Sequence, residues 1–388
     1  MPGVIRPDLI LTEEVTTSAD VTTSADSMIA TELDPVPGGI GLTLRLSQLE
    51  SNNPIIGGIN GMRDGFARMI RSLGESRAIH ESPLLAIVVS EESKDYRSEM
   101  DYLAEALNQI GLKTFVLDPS DVLFTEEGLF VNREGAPIRI DILYRFFELF
   151  DLKNIPKSEL ILYAAKKKQV ALTPPPKPQL EEKLLFALFH HPVLKSFWQN
   201  HLGEEAVSVL TKLFPKTWIL DPRPLPPHAI IPNLMIGDRP VSSFLDLKKL
   251  SQKERRFVVK PSGFSEMAWG SRGVLVGHDL SEEAFGKGLE MALNNFYTTP
   301  HILQEFHKGR QVEVEYLDNN TPIQMKGRVR LSPYYFVEKD EPILSGILAT
   351  VCPLDKKLIH GMPDAVMMPC AVYSNNVGAL LAVPNQEA

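Results

Sequence analysis

The segment FVVKPSGFSEMAWGSRGVLVG (257–277) places a lysine at the end of an apolar run and follows it with a loop of small residues. The flanking apolar runs predict a strand that enters the loop and one that returns from it. Lys260 can meet a phosphate as a point charge. Small residues let backbone N–H groups approach a polyphosphate without side-chain clash. The loop contains Gly263, Ser265, Gly270 and Gly273. An ordinary hairpin with a flexible Gly/Ser loop is the alternative interpretation.

The segment HILQEF (301–306) predicts a further strand. Extended backbone at Gln304, Glu305 and Phe306 would present polar groups and one carboxylate to the edge of a ring. The alternative is an amphipathic strand with Phe306 in the core.

The segment MKGRVRLSPYYF (325–336) carries cations with a period of two. In a strand, Lys326, Arg328 and Arg330 share one face. Such a row can bind an anion. A solvated strand face is the alternative.

Acidic residues occur with the same period near the start of the chain, in IRPDL (5–9) and TELDP (31–35). Arg6 with Asp8, and Glu32 with Asp34, lie on one face of their strands. If the two strands pair antiparallel, all four side chains converge. Oxygen-rich acidic clusters suit Mg²⁺. The alternative is solvated acids on an edge strand, which Pro7 favours.

A perfect tandem repeat separates these two strands: VTTSAD occurs at Val15–Asp20 and again at Val21–Asp26. The composition of residues 12–27 predicts a solvated loop. Because loop closure cost grows slowly with length, a six-residue duplication there costs little.

Hydrophobic periodicity predicts the remaining elements. The order strand, helix, strand over 84–118 predicts a small parallel sheet, followed by strands at 128–132 and 135–147. Helices are predicted at 42–50, 60–74 (with Gly74 as C-cap), 157–167, 179–214 and 281–296. Segments 301–307, 310–318, 323–337 and 343–354 predict one antiparallel sheet.

The bulk composition is that of a globular protein: 388 residues, 44% hydrophobic, 23% charged, net charge −9. No basic stripe with interleaved aromatics occurs, which argues against nucleic acid as a main partner. Cys352 and Cys370 form no CxxC, as expected of thiols in a reducing compartment. We find neither an apolar run long enough to cross a bilayer nor a secretory leader pattern. These features predict a cytoplasmic protein without a membrane partner.

In combination, the strand lysine, the Gly/Ser loop and ILQEF resemble the ATP-grasp family. The metal-binding strands stand at the start of the chain, and this order resembles the circularly permuted branch that includes glutathionylspermidine synthase. That branch begins with an Arg-x-Asp strand and a Glu-x-Asn strand. IDILYRFFELFD (140–151) and EEKLLFAL (181–188) resemble its next landmarks. The resemblance covers most of residues 4–372.

The resemblance implies a circularly permuted ATP-grasp fold of the α+β / α/β class, with a small parallel-sheet pre-ATP-grasp domain. It implies ATP and Mg²⁺ as cofactors, with Asp8, Glu32 and Asp34 as metal ligands. Lys183 and Lys260 would bind the ATP phosphates beneath a lid at 263–273, with Arg6 beside them. Around adenine it places Gln304, Glu305 and Phe306. Arg328 or Arg330 would steady the transferred phosphoryl group.

The implied domain division runs along the whole chain. Residues 1–80 supply the metal-ligand strands and helices of the core, 81–150 a small α/β domain, and 151–255 a helical and Pro-rich connection. Residues 256–322 form the lid and nucleotide-binding subdomain, 323–375 the antiparallel strands of the core, and 376–388 a tail.

Two functions remain open at this stage. The resemblance implies a carboxylate–amine ligase, in which ATP phosphorylates a small-molecule acid and an amine displaces the acyl phosphate. The alternative is a nucleotide-binding sensor or assembly protein without turnover. Asp34, where the family has Asn, motivates this alternative, because it adds a negative charge at the metal. No amidase half with an N-terminal Cys/His pair is found.

Overall fold

The computed structural model describes residues 2–18, 21–50, 53–77, 79, 83–263, 265–268, 270, 272–356, 359 and 364–372, with the backbone alone for 13–18 and 21–26. The tail predicted at 376–388 lies outside the described residues.

The strands are, in chain order, β1 (Val4–Ser18), β2 (Val21–Asp34), β3 (Leu85–Val89), β4 (Thr114–Leu117), β5 (Leu123–Thr125), β6 (Gly128–Arg133), β7 (Ala136–Arg139), β8 (Ile142–Phe146), β9 (Ala171–Thr173), β10 (Thr217–Ile219), β11 (Met235–Ile236), β12 (Arg239–Pro240), β13 (Phe257–Pro261), β14 (Leu275–Val276), β15 (His301–Glu305), β16 (Gln311–Asp318), β17 (Thr321–Glu338), β18 (Glu341–Pro353) and β19 (Val366–Pro369).

The helices are, in chain order, α1 (Ile40–Leu49), α2 (Gly61–Ser76), α3 (Arg97–Gln109), α4 (Ser158–Lys166), α5 (Leu184–His190), α6 (Lys195–Leu202), α7 (Glu204–Leu213) and α8 (Glu282–Asn294). Within the described ranges, no helix combines the length and apolar character needed to cross a membrane.

Three sheets frame the molecule. The large antiparallel sheet has the order β19-β18-β17-β1-β2, and β16 also pairs with β17. A smaller antiparallel sheet has the order β10-β15-β13-β14. In the order β4-β3-β8-β9, all neighbours are parallel, and the β3–β4 pair agrees with the strand–helix–strand pattern over 84–118.

Helix α2 is packed between the large sheet and the parallel sheet. Its Phe66 ring contacts Tyr144 of β8 at a centroid distance of 5.1 Å and Phe336 of β17 at 5.7 Å, both edge-on. Such aromatic pairs contribute about 0.5–1.5 kcal/mol beyond their buried area. A Cβ at Gly65 would lie 2.2 Å from the Ser345 hydroxyl oxygen. Small residues on α2 therefore allow the close approach that joins the two sheets.

The loop predicted over residues 12–27 is wrong. β1 and β2 continue as a paired hairpin through the repeat, with Val15 opposite Ser24 and Thr16 opposite Thr23. The two VTTSAD copies therefore pair largely with each other. Val and Thr favour extended backbone, and this preference outweighs the polar composition that suggested a loop.

The edge-strand interpretation is wrong for β1, which carries Arg6 and Asp8, whereas β2, which carries Glu32 and Asp34, does lie at the edge of the large sheet. β1 lies between β17 and β2, and Asp8 is 3% exposed. Pro7 is tolerated because its position coincides with a break in pairing: the β1–β17 register contains Ile5 and Leu9 but not the residues between them. Proline occurs in sheets at such irregular positions.

Three further expectations need correction. β15 belongs to the smaller sheet, where it pairs with β10 and β13, and not to the large sheet. The strand predicted at 135–147 is divided into β7 and β8, because Ile140 N donates to Leu129 O while Asp141 N turns to Leu84 O. Gly74 is not a C-cap, since α2 continues to Ser76.

Candidate active site

The candidate site begins at the open end of the β1–β2 hairpin. The register places Arg6 opposite Asp34 and Asp8 opposite Glu32, which is the antiparallel pairing that the sequence argument required. All four side chains line a cavity of about 690 Å³. The hairpin thus supplies three carboxylates and a guanidinium to one space.

Asp8 is held by two arginines. Its Oδ1 lies 3.1 Å from Arg6 Nε and accepts a hydrogen bond from Ser332 Oγ at 3.0 Å, while Oδ2 lies 3.2 Å from Arg330 Nη1. Burial alone would raise the pKa of Asp8, but Arg6 and Arg330 outweigh burial and lower it. Asp8 is therefore an ionised carboxylate deep in the protein.

Asp34 shares Arg6 with Asp8. Arg6 Nη2 lies 2.9 Å from Asp34 Oδ2, and Val36 N donates to Asp34 Oδ1 at 2.8 Å. Burial raises the pKa of Asp34 to about 6, and repulsion from Glu32 and Asp8 adds to this, although Arg6 opposes it. The hairpin therefore carries more negative charge here than Arg6 alone neutralises.

Lys183, which precedes α5, connects the hairpin to the loop after β13. Its Nζ lies 2.7 Å from Glu32 Oε1 and donates to Ala268 O at 3.1 Å. Burial would lower the pKa of Lys183, but the Glu32 carboxylate outweighs burial and raises it. Lys183 therefore remains a cation at the cavity wall.

Lys260 lies beside this group without lining the cavity. Its Nζ donates to Gln304 Oε1 at 2.8 Å and to Thr31 O at 3.0 Å. Burial lowers the pKa of Lys260 to about 8, and repulsion from Lys183 contributes. Gln304, buried on β15, donates in turn to Thr217 Oγ1 at 3.2 Å, which fixes its carbonyl oxygen toward the lysine.

The loop after β13 closes one side of the cavity. Gly263 and Gly270 line the cavity, and both have the positive φ that glycine permits. A Cβ on Gly263 would lie 2.2 Å from Glu182 Oε1. Arg272 Nη1 lies 2.8 Å from Glu92 Oε1 and so joins this loop to the connection after β3.

The other small residues of the loop hold its shape rather than line the cavity. Ser265 N donates to Gly263 O at 2.7 Å, and Ser265 Oγ accepts from Met267 N at 3.2 Å. Gly273 N donates to Met267 O at 2.9 Å, and a Cβ on Gly273 would lie 2.7 Å from that carbonyl oxygen.

Glu305 and Phe306 do not belong to the residues that line the cavity. Glu305 N and Phe306 N donate to Lys216 O and Arg256 O, at 2.8 and 2.9 Å, so these two N–H groups are engaged within the protein. The Phe306 ring packs against His278.

The three predicted cations on β17 have different partners in the structure. Arg330 reaches Asp8, as described above, whereas Arg328 Nη1 donates to Leu354 O at 3.1 Å. Lys326 is exposed and pairs with Glu313 at 3.2 Å. Of the three, Arg330 alone belongs to the residues that line the cavity.

Two further acids at the cavity were not predicted from the sequence. Glu148 follows β8 and Glu181 precedes α5, and both line the cavity. Glu181 Oε1 lies 2.6 Å from the buried Arg145, and Glu181 Oε2 accepts from Leu149 N at 2.8 Å. Burial raises the pKa of Glu148 well above its usual range, and Glu181 raises it further. The available signal was an acid within the apolar run FFELF.

Glu99 of α3 was also missed. Its two carboxylate oxygens accept from Gly39 N at 2.6 Å and Leu42 N at 3.0 Å, at the start of α1. These are N–H groups that a helix leaves without internal partners. Glu99 therefore holds the segment that follows Asp34 against α3.

The donor set fits a hard cation by chemistry, because Asp8, Glu32 and Asp34 offer carboxylate oxygens. Among the described residues, however, no three His, Cys, Asp or Glu side chains are grouped closely enough to form a ready metal site. Arg6 and Lys183 instead neutralise these acids directly.

Comparison with known proteins finds similar solved structures but no matching family model or curated sequence. A glutathione synthetase-like effector from Globodera pallida, solved in its apo form, is 12% identical, with 94% of this chain and 74% of that chain covered at a TM-score of 0.56.

Two other solved structures align at lower TM-scores. A putative gamma-glutamylcysteine synthetase from Methylobacillus flagellatus KT is 13% identical, over 99% of this chain and 84% of that chain, at 0.45. D-cycloserine synthetase is 14% identical, over 74% of this chain and 90% of that chain, at 0.33. The alignment with the TM-score of 0.56 shows that the chain shares the fold of the glutathione synthetase-like effector.

Proposed function

We propose that this protein is an ATP- and Mg²⁺-dependent carboxylate–amine ligase that acts on small molecules in the cytoplasm. The observation that carries the proposal is the meeting of Glu32 and Lys183 at 2.7 Å, beneath the loop after β13. Acids from the first strands thereby share one cavity with Lys183 from a distant segment, and Lys260 lies beside it. Oxygen ligands for a divalent cation and cations for phosphates are both needed to bind ATP.

In this proposal Asp8, Glu32 and Asp34 hold Mg²⁺, which supplies charge neutralisation when bound. Lys183 and Lys260 attract the phosphate oxygens, and the loop containing Gly263 and Gly270 excludes water above them. Arg6 and Arg330 exchange part of their contact with Asp8 for contact with phosphate. The chain itself positions and neutralises charge, and needs no nucleophile.

The proposed reaction has two steps. A substrate carboxylate oxygen attacks the γ-phosphorus of ATP; the bond to the bridging oxygen breaks, and ADP leaves. The nitrogen of a substrate amine then attacks the acyl carbon, phosphate leaves with the electron pair of the C–O bond, and the nitrogen releases a proton. The products are an amide, ADP and phosphate.

We further infer that the chain belongs to the circularly permuted branch and is related to the synthetase domain of glutathionylspermidine synthase. Chain order supports this, because the acids lie on β1 and β2 whereas Lys260 lies on β13. The parallel sheet β4-β3-β8-β9 corresponds in this proposal to the pre-ATP-grasp domain. Gln304, Glu305 and Phe306 would surround adenine, and Arg328 would support Arg330.

A second candidate is a nucleotide-binding sensor or assembly protein without turnover. The observation that favours it is Asp34. This residue stands where the resembled family has Asn, and its pKa is raised to about 6 by burial and then by the neighbouring acids. An additional carboxylate would repel ATP phosphates.

ADP release in the presence of acid–amine pairs distinguishes the two. The ligase proposal expects multiple-turnover ADP release only when both an acid and an amine are supplied from a panel of amino acids, dipeptides and amines. Lys260→Ala should abolish this release. No pair-dependent ADP across the panel, with a raised melting temperature in saturating ATP and Mg²⁺, would favour the sensor instead.

A further inference from the structure

A second polar cavity lies at the opposite end of the parallel sheet, with a volume of about 630 Å³. Its lining includes Arg77, Ile79 and Leu84 between α2 and β3, Lys113 between α3 and β4, and residues 168–170 between α4 and β9. The candidate active site receives Glu148 and Phe146 from the other end of β8. A strand of five residues separates the two ends by about 16 Å.

The rim of this cavity is held by backbone hydrogen bonds. Leu85 N donates to Lys113 O at 2.9 Å, and Ala171 N donates to Asp141 O at 2.9 Å. The Asp141 carboxylate accepts from Leu84 N at 2.8 Å. The first residues of β4, β3, β8 and β9 therefore stand side by side, and their side chains share one fixed edge.

The charge of the lining is positive. Among the described residues of the lining, Arg77, Lys113, Arg139 and Lys168 face one acid, Asp141, which leaves an excess of three positive charges. The chain as a whole carries a net charge of −9. The lining of this cavity is therefore positive, although the molecule as a whole is negative.

Among the residues that the structure describes, these cations have few charged partners. Arg139 donates to Gln169 O at 3.2 Å, and Lys113 lies over the Phe115 ring at 5.8 Å, both neutral partners. Across the described ranges, no carboxylate lies within ion-pair distance of Arg77 or Lys168. Repulsion between like charges gathered in one cavity is relieved by an anion.

The floor of the cavity is apolar. Leu84, Val170 and Ala171 are buried beneath the charged rim. A concave site with an apolar floor and a few convergent charges is typical of small-molecule binding. A flat, solvated lysine surface would lack such a floor.

We propose that this cavity binds a small, multiply charged anion of the polyphosphate or polycarboxylate class, at a site separate from the candidate active site. The four cations supply charge-assisted hydrogen bonds to its oxygens, and the apolar floor contacts its remaining surface. The proposal does not depend on the ligase activity.

Titration calorimetry with inorganic pyrophosphate in magnesium-free buffer tests this site. The variant Arg77→Gln/Lys168→Gln should weaken pyrophosphate binding at least about tenfold. The control Lys166→Gln/Lys195→Gln removes two exposed cations outside the cavity and should leave the affinity within about twofold. Lys260→Ala should also leave this binding intact, because that lysine belongs to the other site.

Three outcomes would overturn the proposal: no pyrophosphate binding at millimolar concentration, equal affinity in wild type and Arg77→Gln/Lys168→Gln, or complete loss in Lys260→Ala. If the first double variant does not fold, Lys113→Gln/Arg139→Gln provides the same test from the other side of the cavity.

Discussion

Lys260 is a partly buried cation that donates hydrogen bonds to two neutral oxygens, Thr31 O and Gln304 Oε1. Burial, and next the charge of Lys183, lower its pKa to about 8 although Glu32 and Asp8 oppose this. Its charge is therefore lost as pH rises through about 8, well below the ordinary lysine value of 10.5. A phosphate group placed beside it would favour the protonated form.

We therefore expect ATP affinity to fall as pH rises through about 8, by about tenfold between pH 7.5 and 9. Below pH 8 the ammonium group attracts phosphate, and above it the neutral amine does not. Calorimetric titration with Mg²⁺ and an ATP analogue measures this. Lys260→Arg should flatten the profile, because guanidinium stays charged. The same slope in that variant would show that another group titrates.

Asp8 is the carboxylate on which two arginines converge, and we expect Asp8→Asn to reduce pair-dependent ADP release at least about 100-fold. The amide keeps the shape but removes the charge that a metal ligand and two guanidinium groups require. Asp101→Asn is a suitable control, since Asp101 is exposed on α3. Turnover of Asp8→Asn within threefold of wild type would remove Asp8 from the proposed site.

The sequence predicts candidate residues where a local pattern encodes them. Arg6 and Asp8 could be paired because the period of a strand puts them on one face. Glu148 and Glu181 could not, because their proximity depends on Arg145 and on tertiary packing. The cation row on β17 was encoded as one face, but only tertiary contacts decide that Arg330 and not Lys326 reaches Asp8.

At the scale of elements, the β1–β2 hairpin carries its candidate metal ligands at one end and the repeat at the other, so a change in the length of the repeat leaves the ligand positions in place. Asp8 and Glu32 pair near its base, whereas the repeated copies pair beyond Thr12. We expect deletion of Val15–Asp20 to leave pair-dependent ADP release within about twofold and to change stability by about 1 kcal/mol. Thermal melting and the ADP assay measure both. A tenfold loss of turnover would mean that the outer hairpin takes part in the site.

The conformation of the loop after β13, the proposed lid, depends on Gly263. Gly263 has φ +80°, and its missing Cβ leaves room for Glu182. We expect Gly263→Ala to weaken ATP-analogue binding at least about fivefold, because backbone strain of about 1 kcal/mol is joined by displacement of that carboxylate. Calorimetric titration gives the affinity.

Gly111→Ala is the matched control for this strain. Gly111 also has φ +80°, but open space surrounds the added methyl group. The Gly111→Ala variant should lose a similar amount of folding stability but retain its affinity for the nucleotide. Equal loss of affinity in both variants would show that strain alone, and not the lid, is responsible.

Elements with strong periodicity were predictable, as α3 and α8 show. The hairpin arm was not, because Thr, Ser and Asp are frequent in loops and also in exposed strands. The sheet to which β15 belongs could not be read from HILQEF either. β15 pairs with β10, where Thr217 lies opposite Gln304, and with β13, where Phe257 lies opposite Glu305. Strands so far apart along the chain leave no local sequence pattern that predicts their pairing.

At the scale of the whole molecule, the candidate site is assembled from distant parts of the chain. Glu32 meets Lys183, Asp8 meets Arg330, and Lys260 reaches Thr31 across a separation of 229 residues. The large sheet, the smaller sheet and the connection before α5 must all be in place. A nucleotide bound there would therefore stabilise the complete fold.

Calorimetric titration of a non-hydrolysable ATP analogue, with Mg²⁺ and with EDTA, tests the central claim most directly. We expect wild type to bind the analogue with Mg²⁺, to bind it at least about 100-fold more weakly with EDTA, and to lose the Mg²⁺ dependence in Asp8→Asn. Equal affinity in Mg²⁺ and EDTA, or an unchanged Mg²⁺ dependence in Asp8→Asn, would contradict a nucleotide–metal site built on the first two strands.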